Sequence, residues 1–258
     1  MKRTARKLIR AIAVVVLGVA GLFAVEVRLA LNGPNDHFQN PSRDARRFGG
    51  SGAPLVYVVM GDSTAAGEGA PYDKGIALET ARHLALSGSV TMTNLAVAGA
   101  KVDDVLRVQL GQATALKPDI VLLAVGANDA THFTASSKVS AGMTAILDGL
   151  LSARPGVRVV LTGAPQLGSA PRFTQPLRWF AGTQTGRVNH VITEVGLSRQ
   201  AIFAPIAKET GPLFAADHTL YAPDRFHPSA RGYATWFPGL NRALDEARRG
   251  TGTGASTL

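Results

Sequence analysis

Five apolar runs rich in β-branched residues recur along the chain, at 55–60 (LVYVVM), 90–95 (VTMTNL), 119–125 (DIVLLAV), 157–162 (VRVVLT) and 200–204 (QAIFA). Stretches of helical character lie between and after them, near 74–87, 102–116, 136–153, 184–196 and 229–249. A run that is apolar at nearly every position suits a strand buried on both faces. Such strands alternating with helices predict a parallel, about five-stranded sheet between two helical layers, an α/β fold in three layers. This unit is expected to occupy residues 55–249.

In a parallel sheet the residues that follow the strands share one edge, where open α/β folds bind ligands. Gly61-Asp62-Ser63 follows the first run, Asn94 to Gly99 the second, and Gly126-Ala127-Asn128-Asp129 the third. Near the C-terminus, DRFHP supplies Asp224 and His227. Together these are the parts of an acyl-transfer site. Ser63 is a weak nucleophile unless a neutral imidazole takes its proton, and His227 is the candidate base. Asp224, three residues earlier, can hold the ring by Nδ1. The backbone N–H groups of Ser63 and Gly99 and the amide of Asn128 are suited to a developing oxyanion. Asp217-His218 is a rival base without the HP context, and Asp62 and Asp129 read as turn or cap residues.

GDS after the first strand, Gly99 after the second, GAND after the third and DxxHP near the end resemble four blocks of the SGNH (GDSL) hydrolase superfamily, in the order and at the element ends that superfamily uses. The resemblance implies a flavodoxin-like αβα sandwich and an esterase that needs no metal or cofactor. It implies Ser63 as nucleophile, Asp224 and His227 completing a catalytic triad, and Gly99 and Asn128 as oxyanion donors. Thr64 stands where the superfamily usually has leucine, so the wall beside the nucleophile is a candidate substrate contact. Substrates in the superfamily range over lipids, thioesters, small esters and acetylated sugars. A noncatalytic ligand-binding module of the same fold is a further alternative.

Residues 164–182, APQLGSAPRFTQPLRWFAG, follow the fourth strand and read as an apolar loop at the same edge. They could pack on the core or, through Trp179 and Phe180, wall an acyl pocket for short-to-medium chains.

Composition limits what else the chain can be. It has 258 residues, 46% hydrophobic, and no cysteine, which excludes disulfides, thiolate metal sites and a cysteine nucleophile. The formal charge of +9 invites a nucleic-acid reading, but Lys2, Arg3, Arg6, Lys7 and Arg10 supply five of those charges. No basic helix face with interleaved aromatics remains, so no nucleic-acid partner is expected. Those basic residues precede AIAVVVLGVAGLFAV, residues 11–25, the pattern of a membrane-targeting segment. Residues 1–31 are therefore expected to form a basic tail and signal anchor with the catalytic part outside the cytoplasm, the alternative being a cleaved signal and secretion. Residues 32–54 read as a linker and 250–258 as a disordered tail. Absence of GxGxxG and GxxxxGK[ST] argues against nucleotide binding.

Overall fold

The structure, a computed structural model, describes residues 2–31, 44–51 and 53–252. Its strands are β1 (Asp44–Phe48), β2 (Leu55–Gly61), β3 (Val90–Asn94), β4 (Ile120–Ala124), β5 (Arg158–Leu161) and β6 (Ile202–Phe203). They form one sheet in the order β1-β3-β2-β4-β5-β6. The five strands expected from the apolar runs are all present and parallel. The sheet has a sixth strand, β1, antiparallel to β3 and drawn from the stretch read as a linker. Its sequence, DARRF, carries charge and is largely exposed, which suits an edge strand protected from further pairing but leaves no apolar signal. Residues 32–43 of that stretch and the tail from 253 lie outside the described residues.

The helices are α1 (Lys2–Leu31), α2 (Ser63–Ala66), α3 (Ile76–Ala85), α4 (Val102–Asp104), α5 (Leu110–Ala115), α6 (Ala127–Thr131), α7 (Ser136–Ala153), α8 (Leu177–Leu197), α9 (Ile206–Ala216), α10 (Ala230–Ala234) and α11 (Phe237–Gly252). A π-helical stretch, Val105–Gln109, joins α4 to α5. Side chains alternate across each strand, so both faces of the sheet are covered. Val58, Met60, Val121, Leu123, Val159 and Leu161 pack with Val105, Met143, Ile146, Val188 and Ile192 of the α5, α7, α8 layer. Tyr57, Val59, Met92, Ile120, Leu122 and Val160 face Ile76, Leu84, Phe214, Leu240 and Leu244 of the α3, α9, α11 layer.

Two helices differ from expectation for local reasons. α8 starts at Leu177, immediately after Pro176, and thus takes in the last third of the stretch expected to be a loop. Proline at a helix entrance is compatible with helix because its missing N–H would be unpaired there anyway. α9 has no counterpart in the sequence reading. It is entered through Pro205 and contains Gly211 and Pro212, residues that break a helical pattern when read singly.

The chain runs from β2 outward to β3, then returns to lay β4 on the other side of β2. At such a reversal the loops after β2 and β4 diverge and leave a crevice at their carboxyl ends.

Candidate active site

That crevice holds the residues singled out in the sequence. Ser63 is the first residue of α2 and is mostly buried; Asp62 is the N-cap, its Oδ1 accepting from the Thr64 N–H at 2.9 Å and from the Thr64 hydroxyl at 2.8 Å. The backbone therefore turns sharply between strand and helix with the Ser63 hydroxyl presented at the strand end. Gln109, at the end of the π-helical stretch, braces the approach: its Oε1 accepts from Gly61 N–H at 2.8 Å and its Nε2 donates to Gly61 C=O at 2.8 Å. It pairs both backbone groups of Gly61 where β3 has already ended, sharing the C=O with the Val97 N–H at 3.1 Å.

His227 arrives from the loop before α10. Its Nε2 lies 2.9 Å from Ser63 Oγ, and its Nδ1 lies 2.6 Å from Asp224 Oδ2. Asp224 Oδ1 also accepts from the backbone N–H groups of Phe226 and His227, at 2.9 and 3.0 Å. Burial works to raise the Asp224 carboxyl, but the His227 hydrogen bond and charge, with the two N–H donors, hold it below the usual carboxylate range. An ionised Asp224 fixes the proton on Nδ1 and leaves the Nε2 lone pair facing the Ser63 hydroxyl. The loop is held by Ala222 N–H donating to His227 C=O at 2.8 Å, and Phe226 packs edge-on against the His227 ring at 5.0 Å. Behind it lies Gly69 at φ +89, where an added Cβ would stand 2.6 Å from His227 Cβ and 2.5 Å from Pro228 C=O. Only glycine lets the turn after α2 approach the histidine this closely.

Gly99 is exposed at φ +81, beyond β3. The Asn128 amide donates to Ala100 C=O at 3.1 Å, which ties the loop after β4 to the loop after β3. Asn128 itself stands in α6, directly after β4. Asp129 is buried and accepts from Val102 N–H at 2.9 Å, the cap role expected of it. The rival pair stays apart from the serine: Asp217 bonds Thr219 and pairs with Arg231.

A cavity of about 20 Å³, the room of a single water, opens beside Ser63 within a cleft whose empty space, mouth included, is about 450 Å³. Thr64, Leu167, Phe214, Tyr221, Phe226 and Trp236 are among its walls. Thr64 thus reaches the pocket as expected, though its hydroxyl is committed to Asp62. Trp179 and Phe180 do not line it: Trp179 is 67% exposed and Phe180 packs between Phe23 and Phe133. Both residues sit in the first turn of α8, and Trp179 lines a neighbouring groove that shares Gln166, Ser169 and Gly211 with the cleft. Leu167, from the same stretch, does line the pocket. Sequence reasoning missed Phe214 and Tyr221, from α9 and the turn after it, and also Phe226 and Trp236.

The GDSL-like lipase/acylhydrolase family is matched over residues 59–235, from the end of β2 through α10. The chain belongs to this family. A GDSL-like esterase of Mycobacterium tuberculosis is 29% identical over 206 residues, 74% of this chain. The match spans 62% of the length of that curated relative. Among solved structures, phospholipase A1 from Streptomyces albidoflavus superposes with a TM-score of 0.57 at 20% identity, over 76% of this chain and all (100%) of that one. An acetylxylan esterase from Geobacillus stearothermophilus does so with a TM-score of 0.52 at 17% identity, over 76% of this chain and 94% of that one. These likenesses establish a common GDSL-type α/β fold.

Within this GDSL scaffold burial works against the charged form of Asp62. It is fully buried, and burial pushes its carboxyl up from an ordinary 3.8 to about 6; the Thr64 amide and hydroxyl, the His227 charge and the Ala127 amide pull the other way without cancelling it. The folded state thus holds this proton more tightly than the unfolded chain. Its contribution grows less favourable as pH rises from about 4 to 6 and stays unfavourable above that. Asp62→Asn keeps the capping oxygen and removes the charge. Urea unfolding of this variant should show a gain of about 1–3 kcal/mol at pH 8 that shrinks toward pH 4. A variant no more stable than the parent at pH 8 would contradict this.

Proposed function

We propose that the chain is a serine esterase acting through Ser63, His227 and Asp224 by way of an acyl-enzyme. The observation that carries this reading is the unbroken hydrogen-bonded run from Ser63 Oγ through His227 to Asp224 at the carboxyl edge of the sheet. As Ser63 Oγ attacks the ester carbonyl carbon, its proton passes to His227 Nε2, and Asp224 stabilises the imidazolium that results. The carbonyl oxygen takes up the negative charge, and the N–H groups of Ser63 and Gly99 with the Asn128 amide are the donors to hold it. Collapse of the intermediate breaks the ester C–O bond, with His227 returning the proton to the departing alkoxide. Water then repeats the sequence on the acyl-enzyme: His227 takes its proton, the oxygen adds to the acyl carbon, and Ser63 leaves reprotonated. No metal or cofactor enters any of these steps.

The size of the cavity beside Ser63 supports a short acyl group. Walls of Leu167, Phe214, Phe226 and Trp236 leave room for about a methyl in the enclosed part, and further methylenes have to reach into the mouth. With p-nitrophenyl esters from acetyl to palmitoyl, kcat/KM should be greatest between acetyl and butyryl and fall by about tenfold or more by octanoyl, since each misfitting methylene costs about 1–3 kcal/mol. A maximum at palmitoyl would overturn the assignment of this cavity to the acyl group. The same narrowness favours a second reading, removal of acetyl groups from a glycan, which acetylated polysaccharide in the same assay tests directly.

Residues 1–31 are proposed to anchor this enzyme in a membrane with the catalytic portion on the extracytoplasmic side. In support, the 24-residue stretch Arg6–Leu29 of α1 contains an 18-residue window of mean hydropathy 2.6, and basic residues stand at its N-terminal side. Retention of residues 1–31 in the mature, detergent-extracted protein, with protease access from outside the cell, is the expected result. A secreted form beginning near residue 32 would establish a cleaved signal.

A further inference from the structure

The last turns of α1 do not leave the domain as a free tether. Glu26, in the apolar span, is only 6% exposed: its Oε2 accepts from Leu177 N–H at 2.9 Å and its Oε1 from the Thr174 hydroxyl at 2.6 Å. The carboxylate thus caps the N-terminus of α8 from another segment, pairing a donor that the helix cannot pair itself. Three residues earlier on the same helix, Phe23 meets Phe180 edge-on at 5.8 Å, and Phe180 packs on Phe133 at 5.1 Å. Val27 joins Phe23 against the core.

This docking sets a depth. Phe23 precedes the end of the span at Leu29 by six residues, which is ~9 Å along a helix axis. The surface around Phe180 therefore stands within about 9 Å of the boundary between headgroups and acyl chains, on its lipid side, wherever the span fills a bilayer. At that level the domain exposes large aromatics, Trp179 at 67% and Phe133 at 50%. Trp and Phe with one side open suit this zone, where an aromatic ring is part apolar and part wet.

We infer that the Phe133–Phe180 pair and the neighbouring Trp179, whose groove adjoins the Ser63 cleft, bed into the surface of the lipid bilayer that α1 enters, and that this holds the cleft at the lipid surface. Phe133 follows directly on α6, whose Asn128 C=O lies 2.8 Å from Nδ1 of the intervening His132, so the bedded face and the proposed oxyanion donor belong to one short segment. The ester substrates this geometry favours are those presented at the membrane, a short acyl group entering the cleft while the rest of the molecule stays in the leaflet. The inference rests on the anchor reading above.

The two tryptophans make the test. Full-length protein is reconstituted into phosphatidylcholine vesicles, with intact mass first establishing whether residues 1–31 are retained; their loss would remove the anchor reading and this inference with it. With them retained, emission is compared in plain vesicles and in vesicles whose lipids carry bromine near the headgroup end or near the end of the acyl chain. Trp236 is buried, at 2% exposure, and serves as the internal reference. Shallow bromines should quench Trp179 strongly and deep ones weakly, and Trp179→Phe should lose most of that quenching. Glu26→Ala, which frees the cap, should lower the quenching without abolishing membrane binding. Equal emission with and without bromine in the full-length protein would overturn the inference while leaving the anchor intact. Shielding of Trp179 from aqueous iodide without quenching by bromine would instead place a second copy or another protein on this face, and would also overturn it.

Discussion

Ser63→Ala should remove ester hydrolysis to within the background, a loss of about 10⁶ in kcat, together with labelling by a fluorophosphonate. The hydroxyl is the atom His227 Nε2 faces at 2.9 Å, so its deletion leaves a base with nothing to deprotonate. The fold should survive. Ser63 gives up one hydrogen bond at the cleft, worth about 1 kcal/mol, while the Asp62 cap and the Gln109 brace around it are untouched. Residual activity of purified, probe-negative Ser63→Ala protein above that background would sink the nucleophile assignment. A melting temperature that collapses with activity would mean the experiment had measured folding.

Asp224→Asn should cost about 10⁴ in kcat with KM little changed. The carboxylate now collects three donors, Nδ1–H of His227 and two backbone N–H groups. An asparagine that keeps the two backbone donors on its oxygen turns its NH₂ toward Nδ1, which moves the ring proton to Nε2 and makes that nitrogen a donor to Ser63. The geometry is kept while the base is lost. Asp224→Ala should cost at least as much in activity and also some stability, because the Phe226 and His227 amides lose their acceptor. An Asp224→Asn enzyme within tenfold of the parent would mean that another group orients His227.

What could be read from the sequence follows from which signals are local. Strands β2, β4 and β5 are apolar at nearly every position, so burial on both faces marks them without any knowledge of neighbours, while β3 shows through the alternation of Val90 and Met92 with threonines. Ser63, Asp224 and His227 were legible because each lies at a strand end or within one turn, and a three-residue spacing is enough to join Asp224 to His227. β1 was hidden by its charges, which are useful only at a sheet edge and mean nothing before the edge is known. α9 was hidden by Pro205, Gly211 and Pro212, and with it went the pocket walls that α9 and the turn behind it supply. Trp179 and Phe180 read as pocket residues because they follow a strand end, but in the helix that begins at Leu177 Phe180 packs against Phe23 and Phe133, and Trp179 lines the groove next to the cleft and not the cleft itself. Glu26 read as the end of an apolar segment, and its partners Thr174 and Leu177 are about 150 residues away, beyond any periodicity.

Gln109 reaches Gly61 because the helix carrying it is wound too wide for one turn. That matters to anyone who would rebuild this scaffold. Replacing the wide turn with regular α-helix, the usual first step in idealising a backbone, would swing every later side chain by ~100° for each residue of register lost. The glutamine would then point into a neighbouring helix or into solvent, and the Gly61 N–H would lose its acceptor two residues before the serine, its C=O keeping only the Val97 N–H. A redesign that improves the helix by every local measure would thus loosen the turn on which the reactive hydroxyl stands, so the irregular winding is the part of this fold to copy unchanged.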